Sequence, residues 1–232
     1  MSSTSPSGSP SDARIEQVAR ALADVLGDGD DEGRGERRRA AQRLSESAAA
    51  ALAMGPAELV YGELDVRSVA RILEAAKVEE GDRFLDIGSG EGLPVMAAAL
   101  LYPDRFRICR GIEVVPALAA RAEEHLRRLE KKVAAGPLEA APIELLQGDV
   151  YQATRGPRSA VAAMVRDTTL ALCFATTWSH EPRRTLPRLS ETLARVMPGG
   201  ARVVLVDARL VEGDGWRWEG DLRITPPDTA PF

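Results

Sequence analysis

Cysteine, histidine and aromatic side chains are scarce in this chain. Two cysteines, Cys109 and Cys173, and two histidines, His125 and His180, in 232 residues form no Cys-x-x-Cys pair. They are too few for a structural zinc site, so no metal is expected. Both cysteines lie in apolar, strand-like runs, which suits free thiols in a reducing compartment. No apolar run approaches the ~18 residues of a membrane span, so no membrane association is expected. Residues 1–11 are rich in Ser and Pro and lack the apolar stretch of a secretory signal. The expectation is a disordered leader over 1–12 on an intracellular protein, nuclear or cytoplasmic. Positive charge is not in excess either. The 30 Lys and Arg against 35 Asp and Glu leave a net charge of −5, which excludes a global basic field and leaves only local basic patches. Internal repeats are absent.

What is present is an ordinary globular composition, 44% hydrophobic and 28% charged, in a chain long enough for one well-buried domain with an extension. Ile15, Val18, Leu22 and Val25/Leu26 share one face of a helix over 13–26. A Gly- and Asp-rich loop over 27–33 follows. A second, Ala-rich helix runs from about 36 to 54 and stops at Gly55-Pro56. These two form a helical N-terminal extension, 13–57. The Arg37-Arg38-Arg39 run within it, mixed with Glu36 and Glu46, reads as a solvated helix face.

From residue 58 onward the pattern alternates strand and helix. Asp65 is placed to cap a helix carrying Val66, Val69, Ala70, Leu73 and Ala76. Strands are expected over 83–87, 105–113, 143–146, 168–174 and 201–206. Helices lie between them, opened by Pro94 and by Pro116 and marked by Leu186, Leu189, Leu193 and Met197. This predicts an α/β, Rossmann-like domain over 58–232. Its mostly parallel, doubly wound sheet binds ligands at the C-terminal edge of the strands. Trp216-Arg217-Trp218 and Leu222-Arg223-Ile224 are candidates for one further antiparallel edge strand, which leaves the C-terminal edge incomplete or divergent.

The chemistry concentrates at the strand ends. Phe84-Leu85-Asp86-Ile87-Gly88-Ser89-Gly90-Glu91-Gly92 is an apolar strand entering a glycine loop whose backbone can lie against a nucleoside. Glu113 follows Gly92 by 21 residues, the spacing at which the next strand end offers a carboxylate to a ribose diol. Gly148-Asp149 ends the third strand. The third glycine arrives one residue earlier than a dinucleotide loop requires, and Asp86 precedes the first, where a carboxylate can hold a methionine amino group. The reading is an S-adenosylmethionine site. Gly88, Ser89, Gly90 and Gly92 lie under the cofactor, Glu113 accepts the ribose hydroxyls, Asp149 accepts the adenine amino group, and the Val150 amide meets the ring.

With Tyr61-Gly62-Glu63, Gly111-Ile112-Glu113 and Gly148-Asp149 added to the glycine loop, residues 61–207 resemble the Dot-one (disruptor of telomeric silencing) type of class I methyltransferases, which methylate a nucleosomal lysine without a SET domain. The resemblance implies a protein-lysine methyltransferase with a histone or nucleosome as partner and a Tyr-Gly-Glu loop over the methionine end of the cofactor. Tyr61 and Glu63 are therefore carried over as cofactor contacts. After the fourth strand that family has paired asparagines and an aromatic lining the acceptor channel. Here the stretch reads Cys173-Phe174-Ala175-Thr176-Thr177-Trp178. Thr176, Thr177 and Trp178 become the acceptor-channel candidates, and Phe174 a cofactor contact or channel wall; Cys173, Phe174 and Trp178 as core or packing residues are an equal alternative. The basic nucleosome-anchoring segment of the family is not evident. Acceptors other than histones (another protein, RNA, a small molecule) and a catalytically silent cofactor-binding subunit stay open as alternatives.

Overall fold

The computed structural model describes residues 9–28, 30–52, 54, 61–176, 178, 184–213 and 215–221. Two helices come first, α1 (Asp12–Leu26) and α2 (Asp31–Leu52). The alternating part follows: α3 (Val66–Ala75), β1 (Asp82–Ile87), α4 (Leu93–Leu101), β2 (Phe106–Glu113), α5 (Pro116–Ala135), β3 (Ile143–Gln147), α6 (Gln152–Arg155), α7 (Ala160–Arg166), β4 (Leu170–Phe174), α8 (Pro187–Val196) and β5 (Arg202–Val206).

The five strands form one sheet in the order β3-β2-β1-β4-β5, and every pairing is parallel. This is the expected Rossmann-like sheet. Because strand side chains alternate in direction, Phe84 of β1 and Leu170 and Leu172 of β4 enter one core with α1, α3 and α4. Leu85, Ile87, Ala171 and Cys173 enter a second core, on the other face, with α7 and α8. The order reverses between β1 and β4, so the loops leaving their C-terminal ends diverge to opposite faces and open a crevice there.

Local signals account for the element ends. The Ser11 and Asp65 side chains accept the backbone N–H of Arg14 and Ser68 at the starts of α1 and α3. Gly27 closes α1 in the left-handed region at φ 81°.

Several expectations are corrected. Helix α2 begins at Asp31, five residues before the expected start, because the Asp30 carboxylate accepts the Gly33 amide at 2.8 Å and continues the helix back through the glycines. Two short helices, α6 and α7, fill the link between β3 and β4. Residues 216–218 form no strand; the Trp216 indole instead donates to the Ser190 carbonyl at 3.0 Å, tying this segment to α8. On α5 the buried face takes His125, while Leu126 is half-buried. Gly55-Pro56 and 222–224 lie outside the described residues. Among the described residues no helix is long and apolar enough to cross a membrane.

Candidate functional site

A cavity of about 110 Å³ sits at the β1/β4 crevice. Nine of the residues singled out in the sequence line it: Tyr61, Glu63, Asp86, Gly88, Ser89, Gly90, Glu113, Phe174 and Trp178. Strand register brings the first carboxylates together. Ile87 pairs with Ile112, and the Ile112 carbonyl accepts the amides of Gly88 (2.8 Å) and Ser89 (3.0 Å). The glycine loop therefore turns directly over the end of β2. Gly88, Gly90 and Gly92 have φ of 80°, 54° and 88°, a region other residues enter at a cost.

Glu113 is 6% exposed. Its Oε2 accepts the Gly90 amide at 2.7 Å and its Oε1 the Val115 amide at 2.8 Å. Burial raises its pKa, opposed by those backbone donors. Each oxygen keeps a further acceptor position, since a carboxylate offers about four.

Asp86 is 2% exposed, and its Oδ2 is buried with no hydrogen-bond partner. Burial, then the charge of Glu113, push its pKa up to about 8. An unpartnered buried carboxylate oxygen at a cavity wall is an acceptor waiting for a cationic donor. The methionine ammonium of the expected cofactor fits that requirement.

Aromatic side chains wall the cavity. A Cβ on Gly90 would stand 2.9 Å from Tyr61 Cε2, and one on Gly62 would stand 2.1 Å from Phe174 Cε1. Trp178 lies over Gly88. The Tyr61 hydroxyl donates to Glu63 Oε1 at 2.9 Å. Burial, then the charges of Glu63 and Glu91, raise its pKa.

Other expected residues lie elsewhere. Gly92 caps α4 and packs on Ala122. Asp149 and Val150 do not line the cavity. The Asp149 carboxylate accepts the Tyr151 amide at 2.9 Å and an Arg155 N–H at 2.6 Å, and the Val150 side chain is buried in the second core. Thr176 is exposed and donates to Asp207 at 2.7 Å. Thr177 lies outside the described residues.

Two contributions from the N-terminal segment were not legible in the sequence. Ser45 of α2 and Met54 line the cavity. The Arg37 side chain is 8% exposed and pairs with Asp28, Glu63 and Glu91 at 2.6–2.7 Å, which corrects the reading of Arg37 as solvated, while Arg38 and Arg39 are exposed as expected. Burial works against its charge, but hydrogen bonds to Glu63 and Asp28 outweigh this and raise its pKa. Among the described residues, no group of three or more His, Cys, Asp and Glu is placed to hold a metal.

Residues 54–166 match the family model described as Histone methylation protein DOT1. No curated protein sequence matches the chain. Solved structures that resemble it include an RNA methyltransferase from Salinibacter ruber in complex with S-adenosyl-L-homocysteine, at 25% identity and TM-score 0.42, covering 62% of this chain and 76% of that one. Another is the rRNA methyltransferase aviRa from Streptomyces viridochromogenes, at 17% identity and TM-score 0.46, covering 68% and 80%. A third is a SAM-dependent methyltransferase from Thiobacillus denitrificans with S-adenosyl-L-homocysteine, at 21% identity and TM-score 0.39, covering 59% of this chain and 46% of that one. The chain thus spans about half the length of the third. At these scores the structural likenesses carry no inference about activity.

Proposed function

We infer, from the match of residues 54–166 to the DOT1 histone-methylation family model and from the geometry of the site, that the cavity between β1 and β4 binds S-adenosylmethionine and that the acceptor is a protein lysine, with a histone the first candidate. The observation that carries the cofactor reading is the Asp86 Oδ2, buried without a partner beside the glycine loop. When bound, the cofactor supplies an electrophilic methyl group on a sulfonium sulfur. Asp86 holds the amino group, the free acceptor positions of Glu113 take ribose hydroxyls, and Gly88 and Gly90 let the ligand approach the backbone. In this reading Asp149 and the Val150 amide would serve the adenine end, the Asp149 carboxylate keeping acceptor positions beside its Arg155 contact.

Tyr61, Phe174 and Trp178 give the cavity aromatic walls, which exclude water and disfavour a charged lysine, lowering its pKa toward the neutral nucleophile. Positioning and desolvation then supply most of the acceleration. A histone acceptor would place the protein in the nucleus or, before chromatin assembly, in the cytoplasm.

One observation favours a second reading, an acceptor other than a nucleosomal lysine. The whole chain contains no asparagine, so the family's paired asparagines have no counterpart in kind, and Thr176 is turned to Asp207 instead of the cavity. Transfer of a labelled methyl from S-adenosylmethionine to intact nucleosomes, free core histones and total RNA separates the two, with Asp86→Asn as the inactive control. Label on histone protein that disappears in the control is the expected result. Label on RNA alone would overturn the lysine reading while keeping the cofactor site.

A further inference from the structure

Arg37 stands outside the cavity yet holds two of the loops that line it. Its Nη1 donates to Glu63 Oε1 (2.9 Å) and Glu91 Oε2 (2.6 Å), its Nη2 to Glu63 Oε2 (2.7 Å) and Asp28 Oδ2 (2.9 Å), and its Nε to Asp28 Oδ1 (2.7 Å). A guanidinium has five N–H donors, and all five are used. Glu63 belongs to the Tyr-Gly-Glu loop and lines the cavity. Glu91 lies inside the glycine loop, its side chain fully buried, with its other oxygen taken by Arg121 at 2.8 Å. One rigid, planar group on α2 therefore sets the separation of the two loops. It also orients the carboxylate that receives the Tyr61 hydroxyl, and Tyr61 is the ring packed against Gly90.

We propose that Arg37 is a positioning residue of the cofactor site, acting through Glu63 and Glu91 to hold Tyr61 over the glycine loop; this rests on the cavity being the S-adenosylmethionine site. The alternative is that Arg37 merely staples α2 to the domain. The two differ in what binding should report. A staple affects stability alone, whereas a positioning group affects affinity in chain that remains folded. Lysine cannot replace it, because a single ammonium has no fork with which to address several carboxylates at fixed angles.

The test is calorimetric titration of S-adenosylhomocysteine into the full chain and into Arg37→Lys, Arg37→Met, Glu63→Gln, Arg37→Lys/Glu63→Gln and Leu22→Ala, with melting curves for each. Leu22 is a core residue of α1, and its truncation lowers stability without touching the guanidinium. Leu22→Ala should lower the melting temperature and leave Kd within twofold. Arg37→Lys should weaken binding about tenfold or more, and the double variant should bind no more weakly than the weaker single one, since one residue acts through the other. If Arg37→Met does not fold, Arg37→Lys carries the comparison. Folded Arg37 variants that bind within twofold of the parent would overturn the assignment and leave the cofactor site standing. A parent chain that binds no S-adenosylhomocysteine would overturn the site itself and the role of Arg37 with it.

Discussion

Asp86 holds a carboxyl group where the fold disfavours its charge, and that makes it the residue with the clearest pH signature. Its pKa rises from an ordinary 3.8 to about 8 on folding, so within that window the folded chain keeps a proton that the unfolded chain has released. The contribution of the group to stability is full below pH 3.8 and is lost as pH climbs through 8. Asp86→Asn should therefore raise stability by about 1–3 kcal/mol at pH 8 and leave it nearly unchanged at pH 4, read from urea melts at the two pH values. Binding should show the mirror image. An ammonium on Oδ2 favours the carboxylate, so S-adenosylhomocysteine should displace a proton and bind up to about tenfold more tightly per pH unit between pH 6 and 8. Calorimetry in buffers of different ionisation enthalpy would count that proton, and Asp86→Asn should abolish it. Proton release that survives the substitution would remove Asp86 from the ligand's contacts. Glu113→Gln acts differently. It sets an amide NH₂ against one of two backbone donors, Gly90 or Val115, and should cost about 1–3 kcal/mol of binding or stability.

At the scale of elements, the site is a meeting of loops, and the contact of the 61–65 loop with the end of β4 depends on the missing side chain of Gly62. A Cβ there would overlap the Phe174 ring, so either the ring or the loop must shift. Gly62→Ala should cost about 1–3 kcal/mol of stability and weaken S-adenosylhomocysteine binding. Gly199→Ala, where a Cβ meets nothing within 4 Å, should stay within about 0.5 kcal/mol. Equal melting temperatures for the two variants would mean that the loop leaves β4 freely. Strand ends were the part of this architecture readable in sequence, because apolar runs closing on Asp86, Glu113 and Gly148 leave little choice of conformation. Arg37 was not readable. A charge on a helix ordinarily points to water, and its partners are 9, 26 and 54 residues away, so only the folded chain shows that three carboxylates meet around it. Asp149 marks the opposite gap: its position at the end of β3 was legible, but not the Arg155 side chain that takes its Oδ2.

For the whole molecule, the question is whether the N-terminal helices are an addition to a self-sufficient domain. Val18, Leu22, Val25 and Leu26 of α1 are buried in the same core as Phe84, Leu170 and Leu172 of the sheet. Ala41 and Ala49 of α2 pack with Val115 and Leu118 at the start of α5. Four aliphatic side chains at about 1.5–3 kcal/mol each stabilise the fold by on the order of 10 kcal/mol, comparable with the ~5–15 kcal/mol that holds an entire domain folded. Removing α2 also leaves the buried Glu91 with Arg121 as its remaining cationic partner among those described. A chain beginning at residue 61 should therefore lose its cooperative thermal transition and its affinity for S-adenosylhomocysteine together, whereas Leu22→Ala alone should cost about 2–5 kcal/mol and keep both. A chain from 61 onward that melts cooperatively at the parent's temperature would make α1 and α2 a dispensable cap. If it also kept its affinity, the site would have to form without the lining residues Ser45 and Met54 and without Arg37. The expected joint loss would instead make α1 and α2 part of the catalytic domain, with its core and its cofactor site closed by the same two helices.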